Sequence, residues 1–271
     1  MPFDTARVGL TRDSEEFRVN SYRLAQFAAS LGDDNPRTSK GEVAPPTFAH
    51  IPVMQSMVEV LWGVDKTFYI HGEQDFHFRR PIVPGQRLRT VSTLQSMRNS
   101  GAGAVFVVRS ETSDQAGPVV VQYAVVVARG QKLDRDVGEP APGKPAELAG
   151  GKTEEIAIDI PTDLGARYAE SSRDYSPYTI EQKAAEKLGF PAPILHGLCT
   201  LALAARHVVD RACGGDVAKL KRLGARFSHP LYLTPGQKLV TRLKLAPGRA
   251  DFECSDAGGN VVVKRGFAEV A

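Results

Sequence analysis

The chain carries one pair of signatures twice, in the same order. His77-Phe78-Arg79-Arg80-Pro81 precedes Pro84-Gly85-Gln86-Arg87-Leu88, and Arg226-Phe227-Ser228-His229-Pro230 precedes Pro235-Gly236-Gln237-Lys238-Leu239. Upstream of each copy, Gly32-Asp33-Asp34-Asn35-Pro36-Arg37-Thr38 answers Arg173-Asp174-Tyr175-Ser176-Pro177-Tyr178-Thr179. Asp33 and Asp174 are offset by 141 residues and the Pro-Gly-Gln turns by 151, a difference of one loop insertion. Two signatures repeated in register imply two copies of one structural unit. Between the copies, Gly130 to Gly151 contains Gly138-Glu139-Pro140-Ala141-Pro142-Gly143-Lys144-Pro145, which denies a regular element and reads as a linker. The expected division is an N-terminal unit over 1–130, a linker over 131–155 and a C-terminal unit over 156–271.

Each half has the same coarse pattern. Ile51, Met54, Val58 and Leu61 fall at helical spacing, as do Leu198, Ala202, Ala205 and Val209. Strand patterns follow: the β-branched runs Val105–Val108 and Val119–Val127, the alternation around Leu239–Leu245, and Val261–Val263 with Phe267–Val270. One apolar helix followed by a group of strands predicts an α+β unit whose sheet covers the helix. The chain has 42% hydrophobic and 24% charged residues, which fits a globular protein and not a disordered one. A net charge of +3 suits an anionic ligand, but no clustered basic block announces nucleic acid. The polar N-terminal stretch does not read as a signal peptide, and no apolar run approaches a membrane span. Cys199, Cys213 and Cys254 are odd in number and lack Cys-x-x-Cys spacing, so they read as reduced thiols of a cytoplasmic protein.

Tyr168-Ala-Glu-Ser-Ser-Arg173-Asp174-Tyr-Ser176-Pro177-Tyr178-Thr179, then Ala184-Ala185 with Gly189-Phe190, then Pro193-Ile-Leu-His196-Gly197-Leu-Cys199-Thr200 form an ordered series. The series resembles the hydratase signature of the MaoC-like dehydratase and (R)-specific enoyl-CoA hydratase family. The first half, with Gly32-Asp33-Asp34-Asn35-Pro36 and Gly41-Glu-Val-Ala-Pro-Pro46, resembles the degenerate half of its two-domain members. The resemblance implies an α+β double hotdog: two long central helices, each wrapped by an antiparallel sheet, with the sheets joined. It also implies a hydro-lyase acting on trans-2-enoyl-CoA or (R)-3-hydroxyacyl thioesters. In the family an Asp and a His five residues later hold the reacting water. Here Asp174 is followed by Thr179, and Asp33 by Thr38; Arg173 replaces the glycine before the aspartate, and Ser176 the asparagine.

Adding water to an enoyl thioester needs a proton acceptor, a proton for the α-carbon and donors for the thioester oxygen. The catalytic candidates are Asp174 for the water, Thr179 to orient or relay, and the amide of Gly197 at a helix start for the thioester oxygen. Ser176, Tyr178, His196 and Arg173 are the candidate substrate contacts. Bland readings stand beside these. Asp174 also fits a turn cap, Thr179 a cap for a helix starting near Ile180, Gly197 a close-packing position, and His196 a structural histidine. Because a threonine hydroxyl does not titrate, a second function stays open: an acyl-thioester-binding protein or partner subunit with impaired catalysis. A hotdog thioesterase is a third. His71 and His77 flank Glu73 and Asp75 without a second cluster to complete a metal set, and Gly101-Ala-Gly103 fails as a dinucleotide loop, so no metal or other cofactor is expected beyond the coenzyme A or acyl-carrier thioester itself. Cys199 reads as a core thiol. Arg79, Arg80 and Arg173 fit either coenzyme A phosphates or solvated surface. The expected assembly is a monomeric double hotdog or a homo-oligomer of it, with no nucleic-acid or membrane partner.

Overall fold

The valine-rich and alternating runs are strands, because β-branched side chains pack well on a pleated surface. The structure, a computed structural model, describes residues 3–61 and 69–271. The N-terminal unit contains β1 (Thr11–Asp13), β2 (Phe17–Arg18), β3 (Tyr69–Phe78), β4 (Arg87–Ser100), β5 (Gly103–Asp114), β6 (Gly117–Arg129) and the short β7 (Val137–Gly138). The C-terminal unit contains β8 (Lys152–Asp159), β9 (Leu220–Phe227), β10 (Lys238–Ala246), β11 (Arg249–Asp256) and β12 (Val261–Val270). Helices α1 (Ser21–Ser30) and α2 (Met54–Val60) belong to the first unit, and α3 (Leu164–Ser172), α4 (Gln182–Lys187) and α5 (Gly197–Ala212) to the second.

All pairings are antiparallel, and the main path runs β1-β4-β5-β6-β3-β9-β12-β11-β10-β8. The two sheets are thus one, joined where β3 meets β9 with Asp75 opposite Gly224 and Phe76 opposite Leu223. Gly224 must lack a side chain there: a Cβ would lie 2.6 Å from the Phe267 ring. The seam is tied by charge. Arg222 Nε and Nη2 donate to the two oxygens of buried Asp75 at 3.0 and 2.7 Å. Burial opposes ionisation of Asp75, but the hydrogen bonds from His77 and Arg222 outweigh it and lower its pKa. Removing either partner would strand a buried charge, a change that typically costs about 3–5 kcal/mol.

Helix α5 is buried from Leu198 to Val209 over nearly every position, and it packs on β9, β10, β11 and β12. It is the long central helix expected of that half. The first half departs from the expectation. Its counterpart enters as a 3-10 segment over Pro46–Val53, and only Met54–Val60 is α-helical. Pro52 inside the segment cannot donate a backbone hydrogen bond, and this explains the tighter, interrupted winding. The first residues of β8 lie within the stretch 131–155 expected as linker. β8 starts at Lys152 because its polar, solvent-facing residues still complete the ladder with β10, Lys152 opposite Leu245. Within the linker, Gly138 pairs with Ser96 of β4.

Candidate active site

Helix α3 leads into the Asp174 loop and fixes where it turns. Arg173 ends the helix in the left-handed conformation (φ 63°), its amide still bonded to Ala169 O, and the chain swings outward into Asp174. The carboxylate is then held from one side. Asp174 Oδ1 accepts from Ser176 Oγ at 2.6 Å and from Ser176 N at 3.2 Å. Oδ2 has no hydrogen-bond partner among the described residues. Pro177–Thr179 forms a 3-10 turn, and Thr179 Oγ1 donates to Ser176 O at 2.6 Å. Gly165 allows this loop to lie against α3, since a Cβ there would stand 2.3 Å from Thr179 O.

His196 clamps the loop from the other side. Its Nε2 lies 2.9 Å from Asp174 O and 3.0 Å from Thr179 Oγ1. Both Asp174 O and Ser176 O can only accept, so Nε2 carries the proton and the threonine hydroxyl donates to Ser176 O. Burial lowers the His196 pKa, with the Asp174 charge and the backbone bond opposing. The next residue, Gly197, opens α5, and its first-turn amides are free of intrahelical partners. A Cβ on Gly197 would press the Phe227 ring at 3.2 Å, so the glycine serves close packing as well.

Asp174 lines a narrow cleft between the two halves, with free space of only about 10 Å³, roughly one water. Tyr168 and Leu198 join it from the C-terminal half, and His50, Ile51 and Met54 face it from the N-terminal half. Thr47, also on that wall, has a buried hydroxyl without a partner among the described residues. Burial raises the Tyr168 phenol well above its ordinary range, with neighbouring Cys199 and Asp174 adding to the effect. The phenol therefore stays a donor. His50 is buried, and its Nδ1 lies 2.9 Å from Gln122 Oε1. Burial lowers its pKa, opposed by the Gln122 hydrogen bond and the Asp174 charge.

The seven residues singled out in the sequence thus have different situations. Asp174 lines the cleft, Gly197 stands one residue before the cleft residue Leu198, and Ser176 and His196 grip the Asp174 loop. Tyr178 is half-buried and Arg173 is exposed. Thr179 is buried, and it caps no helix: the N-cap of α4 is Glu181. A larger groove lies elsewhere; Arg79 and Lys221 line it, and none of these seven residues does. Arg80, which also lines it, is committed to Asp114, binding both carboxylate oxygens and holding that carboxyl below its usual range. His50 is the cleft residue that the motif pattern does not reveal. Its one sequence signal is a histidine set among apolar residues just after Pro45-Pro46, at the first half's own helix entry.

The repeated motif in the first half is closed. Asp33 Oδ2 accepts from Thr38 Oγ1 at 2.9 Å, Oδ1 accepts from Asn35 N at 3.1 Å, and Arg206 lies 3.9 Å away. Asn35 Nδ2 donates to Gly215 O, so the turn that follows α5 is tied to this loop. The three cysteines are buried, and burial pushes the Cys213 and Cys254 thiols up to about 11 and about 12 and Cys199 higher still. A nucleophilic role for Cys199 is inconsistent with that burial. Among the described residues no three His, Cys, Asp or Glu side chains group as a metal set, and no helix is long and apolar enough to cross a membrane.

Comparison with known proteins places both halves. Residues 145–263 match the MaoC like domain, and residues 6–123 match the FAS1-like dehydratase domain region. The chain is 32% identical over 198 residues to 3-hydroxyacyl-thioester dehydratase Y of Mycobacterium tuberculosis, covering 70% of this chain and 67% of that one. It is 27% identical over 237 residues to peroxisomal multifunctional enzyme type 2 of Mus musculus, covering 83% of this chain but only 31% of that larger protein. The crystal structure of a MaoC-like dehydratase from Phytophthora capsici superposes with a TM-score of 0.87 at 22% identity, over 99% of this chain and 98% of that one.

Proposed function

The chain belongs to the MaoC-like dehydratase family and has its double hotdog fold, and from that premise we propose that it adds water to trans-2-enoyl thioesters and, in reverse, dehydrates (R)-3-hydroxyacyl thioesters. The observation that carries this reading is Asp174: one carboxylate oxygen is tethered by Ser176, and the other is left unbonded in an interdomain cleft beside the start of α5. In this reading the enoyl group enters the cleft with its carbonyl toward the Gly197 amide. Free N–H groups and the helix dipole there stabilise the negative charge that develops on the thioester oxygen. Asp174 Oδ2 holds the water against C3. The water oxygen bonds to C3 as the water gives up one proton, the C2–C3 π pair moves toward the thioester carbonyl, and that proton is delivered to C2, so that one water is added.

The surrounding residues take supporting parts. Ser176 and His196 hold the Asp174 loop, and Thr179, with its hydroxyl committed to Ser176 O, anchors the loop without moving protons. Tyr178 walls the loop, and the exposed Arg173 is the cation we assign to phosphates of the carrier. Both walls of the cleft come from one chain, so a single chain suffices for the site. No cofactor beyond the thioester substrate enters this reading. A cytoplasmic site of action fits the three reduced, buried cysteines.

Purified full-length protein mixed with crotonyl-CoA tests this directly by loss of enoyl absorbance. Turnover to 3-hydroxybutyryl-CoA is expected. Saturable binding without turnover would identify a binding protein instead, and release of free coenzyme A a thioesterase.

A further inference from the structure

The catalytic arrangement described above lacks a titrating partner for Asp174, because Thr179 stands where the family has histidine and does not reach the cleft. We propose that His50, contributed by the N-terminal half across the cleft, is the proton-transfer residue of the hydration site. The inference rests on the hydro-lyase reading and adds a residue that the repeated motif does not contain.

Hydrogen bonding fixes which nitrogen is available. Gln122 Nε2 donates to Ala49 O at 2.9 Å, so the Gln122 amide is oriented with Oε1 toward His50. Gln74 Nε2 donates to the same Oε1 at 3.0 Å and strengthens that orientation. Oε1 can only accept, so His50 Nδ1 carries the hydrogen and Nε2 keeps its lone pair. Among the described residues Nε2 has no hydrogen-bond partner, and His50 lines the cleft that Asp174 lines from the opposite half. Three glutamine and backbone groups, Gln122, Gln74 and Ala49 O, thus hold a neutral imidazole with its basic nitrogen uncommitted.

Behind His50, with ring centroids 5.8 Å apart, lies His71. Its Nε2 donates to Glu73 O at 3.1 Å, and burial lowers its pKa to about 4, so it stays uncharged beside a protonated His50. The charge of Asp174 acts in the opposite sense and favours protonated His50. The proton balance follows. As the water oxygen bonds to C3, one water proton passes to His50 Nε2 while Asp174 Oδ2 accepts a hydrogen bond from the other hydrogen. The electron pair of C2=C3 is held as the enolate of the thioester. His50 then returns its proton to C2, and one water has been added with His50 and Asp174 unchanged.

The test is crotonyl-CoA hydration by the full-length chain and its His50→Ala, His50→Gln, Asp174→Asn and His229→Ala variants. Each is checked by thermal melting and by binding of butyryl-CoA, a saturated thioester that cannot react. His50→Ala and His50→Gln should lower kcat by about 10²-fold or more with melting, butyryl-CoA binding and KM little changed. Added imidazole should restore part of the His50→Ala rate but none of the Asp174→Asn rate. His229→Ala, an exposed change, should behave as wild type. Folded His50→Ala and His50→Gln proteins within about threefold of the wild-type rate, with Asp174→Asn inactive, would overturn the assignment of His50 while leaving the hydro-lyase reading standing. No turnover by the unsubstituted chain would overturn both.

Discussion

The hydroxyls of Ser30 and Ser171 meet at 2.8 Å, and the two residues are 141 positions apart, the same offset that separates Asp33 from Asp174. Repeat-equivalent residues touch where an approximate twofold axis relates the halves, at the contact of α1 with α3. Phe27 and Tyr168, on the same pair of helices and also 141 apart, pack with ring centroids 5.7 Å apart. The two aspartate loops therefore emerge symmetrically from one helix pair. Their fates differ through what covers them: Arg206 and Gly215 close over Asp33, whereas a cleft remains over Asp174.

This asymmetry makes Asp33→Asn a stability change, not a catalytic one. The substitution replaces an acceptor-only carboxylate that Thr38 and Asn35 both bond in a buried loop. A loss of about 1–3 kcal/mol in chemical denaturation is expected. Hydration rates measured well below the melting temperature should stay within about twofold of wild type, since the change removes no general base.

Thr179→His restores the family's residue type, yet it should not raise activity. Thr179 is buried, with Gly165 packed on its carbonyl and His196 against its hydroxyl. An imidazole there displaces His196 from Asp174 O and loosens the loop. Lower melting temperature and lower kcat are expected in parallel. A gain in kcat at unchanged stability would show that the pocket accepts imidazole at this position.

Arg173 adopts φ 63°, a left-handed conformation that costs a residue with a Cβ about 1–2 kcal/mol and costs glycine almost nothing. Arg173→Gly recovers part of this, less the extra freedom glycine has when unfolded. Stabilisation of about 0.5–1 kcal/mol is expected by denaturant titration. If Arg173 meets carrier phosphates, KM for the coenzyme A thioester rises at the same time.

Acid should unfold the protein early. Burial lowers the pKa of His71 and of His207 to about 4, with nearby His50 lowering His71 further and Arg206 and Arg211 lowering His207. An unfolded histidine titrates near 6.5, so between about 6.5 and about 4 the unfolded chain binds more protons than the native one. Stability is full above pH 6.5, falls as pH drops through that window, and levels below it; each histidine contributes on the order of 3 kcal/mol to the loss. Denaturation midpoints measured from pH 7 to pH 4 check the sign, and His207→Gln should flatten the slope.

The repeat gave away the architecture because it recurs as Pro-Gly-Gln turns and aspartate loops, which are local features. The seam between β3 and β9 follows from it: residues 1–130 alone would bare the β3 edge and half of a core that spans both units, and they should associate or aggregate. Other features were not legible. The broken helix over Pro46–Val60 kept a helical apolar spacing while Pro52 altered its winding. His50 carries no motif, and its partners Gln74 and Gln122 are distant in sequence, so only folding brings them together. Thr179 fits a helix cap in the sequence because a threonine there directly precedes an expected helix start near Ile180, yet its hydroxyl turns back to Ser176.

In the proposed reaction the unbonded oxygen of Asp174 holds the attacking water in the interdomain cleft. The most direct measurement is the kcat of Asp174→Asn with crotonyl-CoA, set beside its affinity for butyryl-CoA. Asparagine keeps the shape and can still bond Ser176, so the fold and thioester binding should persist while kcat falls at least about 10²-fold. Undiminished hydration by a folded Asp174→Asn protein, with turnover lost instead in Asp33→Asn, would place the active site in the other half and rule out this role for Asp174.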